Sequence, residues 1–174
     1  MKHRLLILAI SVIATAMIGF GCSSDDNDNT MPGKLQVVDV NTSGCKTKVD
    51  VSANTRADDI TRQTRMTIKL DNNHQALVNI YGIWLNCAAE GVEDVRVSLE
   101  NGIITMVIVP RDTEPAVNCI CPYDCSFIMT NVQSGHYQLI VYVAQGPDKT
   151  YNPDYPIYKG ELTLTNNLET SLVW

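Results

Sequence analysis

Histidine and positive charge are what this chain has least of. Of its three histidines, His3 lies at the extreme N-terminus, so only His74 and His136 remain for a nitrogen-ligated metal or a catalytic base. Lysine and arginine number 13 against 19 aspartates and glutamates, a formal charge of −6. With no basic patch to offset that balance, nucleic acid and anionic headgroups are excluded as electrostatic partners. The local signatures of catalysis are missing as well: there is no Gly-x-Ser-x-Gly elbow, His-Glu-x-x-His helix or phosphate-cradling glycine loop. A zinc ribbon would need two Cys-x-x-Cys knuckles, and there are none. Helical periodicity is scarce, and neither an internal repeat nor a change of composition marks a second domain. The expectation is a protein that is not an enzyme and has no cofactor or resident metal.

What is present begins with an address. Lys2, His3 and Arg4 precede an uncharged apolar run from Leu5 to Phe20, too short for an ordinary membrane span and built like a secretory signal. Its end, "IGFGC", resembles a bacterial lipobox, with Gly21 before a cysteine to be diacylated, Cys22. Gly19 stands where such boxes usually carry leucine. Residues 1–21 therefore read as a lipoprotein signal peptide and Cys22 as the lipidated mature N-terminus. Residues 22–33, "CSSDDNDNTMPG", hold three aspartates and end in a Pro-Gly breaker, an acidic tether that cannot offset its ordering entropy. Serine followed by acidic residues just after the cysteine resembles the surface-export signal of lipoproteins from the Bacteroidota. These features predict an outer-membrane location, lipid-anchored and facing the cell exterior. The acyl chains alone would attach it, since buried methylenes contribute about 0.8 kcal/mol each.

From residue 34 to 174 the apolar period is two. Runs at 35–40, 47–52, 65–70, 77–85, 94–99, 103–109, 125–132, 137–144, 159–164 and 171–174 read as strands. Asn101-Gly102 supplies two positive-φ residues for a tight hairpin turn. One or two helical turns are expected over 54–64. The fold class is all-β, a single antiparallel β-sandwich. "GHYQL" looks like the Gly-x-Tyr-x-Leu hairpin of immunoglobulin-like and transthyretin-like sandwiches, with Gly135 giving the turn a positive φ and Tyr137 packing its ring beneath it. Trp84 is expected in the core, while Trp174 is left open.

Six cysteines less Cys22 leave Cys45, Cys87, Cys119, Cys121 and Cys125. The last three make Cys-x-Cys-x-x-x-Cys inside "NCICPYDCSF". A thiolate metal or redox site on Cys119, Cys121 and Cys125 is the alternative reading, set against an oxidising cell surface that favours disulfides. For nucleophilic catalysis the neighbours are wrong, because Asp124 would raise a thiol pKa, not lower it. Cys119 and Cys121, two apart on an extended segment, have Cα atoms about 6.5 to 7 Å apart, at the limit of a disulfide. Each should therefore seek a distant partner, and Cys45 and Cys87 are the distant ones, with the pairing open. Cys125 falls in step with Tyr123, Phe127 and Met129 and is expected to stay reduced as a small core hydrophobe.

"NCICPYDCSF", the upstream Cys87 and the glycine-tyrosine strand together resemble a group of small lipoproteins of the Bacteroidota with an Asn-Cys-x-Cys-x-Tyr-Asp motif. The likeness covers residues 72 to 144 and rests on Cys87, Asn118, Cys119, Cys121, Tyr123, Asp124, Phe127, Gly135 and Tyr137. Pro122 is where this chain departs from the pattern. The resemblance implies a sandwich fold and a surface lipoprotein, and it brings no activity with it.

The conspicuous loop is 145–160, "QGPDKTYNPDYPIYKG". Its rigid tyrosines, Tyr151, Tyr155 and Tyr158, suit a glycan or protein ligand, unless they fold back on the sheet as part of a long hairpin. Glu90, Glu93 and Asp94 lack the dense Asp-x-Asp spacing of a calcium loop. The expected function is a non-catalytic binding or structural module on the cell surface, with a glycan or host protein as ligand.

Overall fold

A computed structural model describes residues 34–47, 49–50, 63–112 and 116–174. The signal segment, Cys22, the tether and all but the last two residues of the helical expectation at 54–64 lie outside the described residues. Ten strands follow in chain order: β1 (Gln36–Thr42), β2 (Val49–Asp50), β3 (Arg65–Leu70), β4 (Gln75–Asn86), β5 (Ala89–Glu100), β6 (Ile103–Asp112), β7 (Cys119–Thr130), β8 (Gly135–Val143), β9 (Tyr158–Leu164) and β10 (Glu169–Val173). No helix occurs among the described residues.

The strands form two sheets packed as a sandwich. One has the order β1-β7-β4-β3-β10, with β2 also paired to β7, and the other the order β5-β6-β8-β9. Alternation decides which faces meet. In β7 every second residue from Cys121 to Met129 is buried while Pro122, Asp124, Ser126, Ile128 and Thr130 are not. The inner side chains of both sheets, Met66, Ile80, Phe127, Met106 and Leu139 among them, make one core, each worth about 1.5 to 3 kcal/mol of burial. Tyr123 is the polar exception, and its hydroxyl donates to the Ala89 carbonyl at 2.6 Å across the core. Burial raises its pKa.

In β6 the alternation stops, because Val107 and Val109 are buried on the outer face too. The segment 145–157 causes this by folding back over that face. Lys149 donates to the Pro110 carbonyl and pairs with Asp112, each at 2.7 Å, and the Tyr142 hydroxyl donates to the Pro153 carbonyl at 3.3 Å.

One pairing departs from an all-antiparallel sandwich: β6 and β8 run parallel, Ile103 opposite Gln138 through Ile108 opposite Val143. Between them in sequence β7 crosses to the other sheet, and this crossover makes the parallel pair possible. The Asn101-Gly102 turn forms as expected, with φ of 51° and 78°. Gly135 does not take a positive φ; Asn131, at φ 61°, does. The Tyr137 ring lies at ordinary contact distance, 3.5 Å, from where a Cβ on Gly135 would sit, and the Tyr137 hydroxyl donates to the Gln133 carbonyl at 3.0 Å. Trp84 is corrected from core to outer face. A register shift between Ile80 and Ile83 resets the alternation, so Ile83 and Leu85 point inward and half-buried Trp84 lies outward opposite Pro122. Trp174 packs against the core, its ring 4.7 Å from that of Tyr158.

The two ends of the sandwich differ. Lys34 meets the Asn131 amide, Val132 N–H bonds the His74 carbonyl, and Asn167 bonds Leu70 and Asn72, so Lys34 lies at the end that holds the β3–β4 hairpin turn and the β7–β8 and β9–β10 connections between the sheets. The disulfides lie at the opposite end.

Candidate functional site

The cysteine cluster is mostly oxidised. Cys45 is bonded to Cys121 and Cys87 to Cys119, with Cα atoms 5.7 and 5.4 Å apart, so two of the three thiols in the metal or redox alternative are spent. Cys125 is free and buried. Among the described residues no group of three or more His, Cys, Asp or Glu is gathered to hold a metal. Desolvation pushes the Cys125 thiol up to about 12 from 9.0, the opposite of what a nucleophile needs. The sign of the linkage follows. Below pH 9 the thiol is protonated in both states and its contribution to stability is whole. Above pH 9 the unfolded chain ionises and the folded chain does not, so stability falls with rising pH toward about 12. Cys125→Ala should flatten that decline in chemical-denaturation series between pH 8 and 10, and iodoacetamide should label the folded chain only after denaturation. Labelling of the folded chain at pH 8 would show the thiol accessible.

The three loop tyrosines are not brought together. The Tyr151 ring sits 4.4 Å from that of Tyr142. Tyr158 lies along Gly160 and against Trp174. Only Tyr155, 76% exposed, projects freely. The loop is largely a cover for the second sheet.

A cleft exists elsewhere, on the outer face of the six-stranded sheet. It encloses about 190 Å³ and is lined by Asn41, Thr42, Ser43, Asn79, Tyr81, Asp124, Cys125 and Ser126. Two irregularities shape it, the register shift in β1 between Val38 and Asn41 and the one in β4 between Ile80 and Ile83. Asp39 (φ 57°) and Gly82 (φ 72°) take the left-handed conformations these require. Gly82 lies beside Asp124, which ties three strands together. Its Oδ1 accepts from Gly82 N–H at 3.0 Å and its Oδ2 pairs with Lys46. Its backbone N–H donates to Ser43 Oγ at 2.8 Å, and its carbonyl accepts from Ser43 N–H at 2.9 Å and from Thr42 Oγ1 at 3.2 Å. Thr42 Oγ1 also accepts from Val92 N–H at 3.1 Å, linking this floor to the other sheet.

The floor's polar groups are thus spent, whereas the rim's are not. Among the described residues, Ser126 Oγ, the Tyr81 hydroxyl and the amide oxygens of Asn41 and Asn79 have no hydrogen-bond partner within the protein, while the two amide nitrogens are held by the Asp39 carbonyl and Thr67 Oγ1. Arg65 lies 4.9 Å from the Tyr81 ring centroid and steadies it. The cleft thus has a fixed floor beneath uncommitted hydroxyls and amides. Sequence reading singled out Asp124 but not Asn41, Asn79, Tyr81 or Ser126. They occupy unremarkable outward positions on three strands, β1, β4 and β7, and only strand register gathers them.

No family model matches the chain, and neither does any curated protein or solved structure.

Proposed function

We propose that this is a non-catalytic binding module held outside the cytoplasm by a lipid on Cys22. Its fold would be an immunoglobulin-like or transthyretin-like sandwich of the kind implied by the Asn-Cys-x-Cys-x-Tyr-Asp resemblance. Two disulfides accord with an oxidising compartment. The observation that carries the binding reading is the cleft, with its spent floor and unspent rim.

Ser126, central in the cleft and half-buried, offers the test. Ser126→Trp fills the space with a residue that strands accommodate, so disulfide content and circular dichroism should not change. Probed against arrays of glycans and extracellular proteins, the full chain should retain ligands that the variant loses. Identical profiles would remove the cleft from the reading. Cys22→Ala should abolish palmitate incorporation and release the chain from the membrane fraction; continued labelling would remove the anchor.

A further inference from the structure

We infer that the cleft takes an uncharged, linear glycan whose chain runs across β1, β7 and β4, one sugar over each strand. This rests on the cleft being the binding surface and adds the ligand class and its direction.

The chemistry comes first. The uncommitted groups on the rim are hydroxyls and amide oxygens, and the ionised pair at the floor, Lys46 with Asp124, is spent on itself. Among the described residues the one unpaired cation beside the cleft, exposed Arg65, lies against the Tyr81 ring and outside the row of hydroxyls and amides, and a chain of net charge −6 repels anions. A peptide adding a strand would use the outer edge of β1 and not the cleft face, because β7 and β4, which carry Ser126, Asn79 and Tyr81, are both paired on each side. A pyranose presents hydroxyls at its edge and C–H groups on its faces. The cleft matches that, with hydroxyl and amide partners beside the Tyr81 ring.

Register supplies the direction. Ser126 is opposite Asn41 on one side and Asn79 on the other, so the three form one row perpendicular to the strands. Neighbouring strands lie about 4.8 Å apart, close to the advance per residue of an extended, β-linked pyranose chain. The row continues through Thr67 to Ser171. Thr67 is buried and holds the Asn79 amide at 3.4 Å, which makes it a positioning residue. On one flank runs an aliphatic row, Val38, Ile128 and Leu77, with Val38 40% and Leu77 46% exposed. On the other stand Tyr81 and Arg65. A sugar chain in the polar row would have apolar surface on both sides for its C–H faces.

The test uses the oxidised full chain in titration calorimetry with cellohexaose and xylohexaose, their monosaccharides, and oligogalacturonate as the charged control. A neutral hexasaccharide should bind at least about tenfold tighter than its monosaccharide. Asn79→Ala and Tyr81→Ala should each weaken it about tenfold, Asn79→Ser less, and Tyr155→Ala not at all. Unchanged dichroism and disulfide content would show that the outward-facing variants still fold. If Ser126→Trp abolishes binding only of charged sugars or proteins, the cleft reading stands and the neutral-glycan inference falls. No binding of either neutral hexasaccharide, or binding no tighter than the monosaccharide, also overturns it. If a hexasaccharide binds equally well to Ser126→Trp, both fall, and loss in Tyr155→Ala would move the site to the loop.

Discussion

Removing the Cys45–Cys121 bridge by Cys45→Ala with Cys121→Ala should lower the unfolding free energy by about 4 kcal/mol. The bridge spans 76 residues and encloses the other one, which spans 32. The inner bridge shortens the path round the outer loop, so the two effects are not independent. On the chain-entropy account, losing the inner bridge by Cys87→Ala with Cys119→Ala should cost about 3 kcal/mol. Against a typical total of about 5 to 15 kcal/mol, losing both leaves a small domain close to unfolding at ordinary temperature. Urea titration of the two paired variants checks this, and the denaturant slope should rise as the unfolded chain expands. A larger loss from the inner bridge than from the outer would contradict the loop-length argument.

The second large effect is expected at Gly91. Its φ is 112°, and a Cβ built there would lie 2.5 Å from Thr42 Cγ2 and 2.6 Å from Thr42 Oγ1. Gly91→Ala therefore combines backbone strain, about 1 to 3 kcal/mol, with a collision against the threonine that links the two sheets. Pushing Thr42 aside gives up its bonds to Val92 N–H and the Asp124 carbonyl. A total loss of about 3 to 5 kcal/mol is expected. With Thr42→Ala added, the two contacts under 3 Å disappear, while the strain and a tight 3.1 Å contact to the residue 42 Cβ stay, so the double variant should lose less than the sum of the singles. Gly44, with nothing within 4 Å of its Cβ position and no positive φ, is the control, and Gly44→Ala should stay within about 0.5 kcal/mol of the parent. Additivity of the Thr42 and Gly91 changes would show that they do not meet.

These two sites mark the limits of what the sequence made legible. Period-two alternation revealed the strands because one face of each is dry, and 65–70 matches β3 residue for residue. It also foretold that Cys125 would lie inward with Tyr123, Phe127 and Met129. Trp84 defeated it, because alternation carries no mark of a bulge and one extra residue in β4 turns the ring to the other face. The parallel pairing of β6 with β8 was equally hidden, since each strand looks the same whichever way its neighbour runs. The tyrosine-rich loop drew notice through composition, whereas the cleft is assembled from ordinary serine and asparagine by register alone. Two polar residues many positions apart in sequence become neighbours only once the strands between them are in place.

The path of β7 through the sandwich has a consequence for how the molecule is made. β1 finds its partner only when Thr130 and its neighbours arrive, and β6 is joined by β8 only after the chain has crossed over and returned. Emerging N-terminus first, the polypeptide would have to keep both half-built layers from sticking to other chains until nearly its whole length was available. Maturation should thus be abrupt and late, and a fragment ending before β7 should precipitate instead of folding.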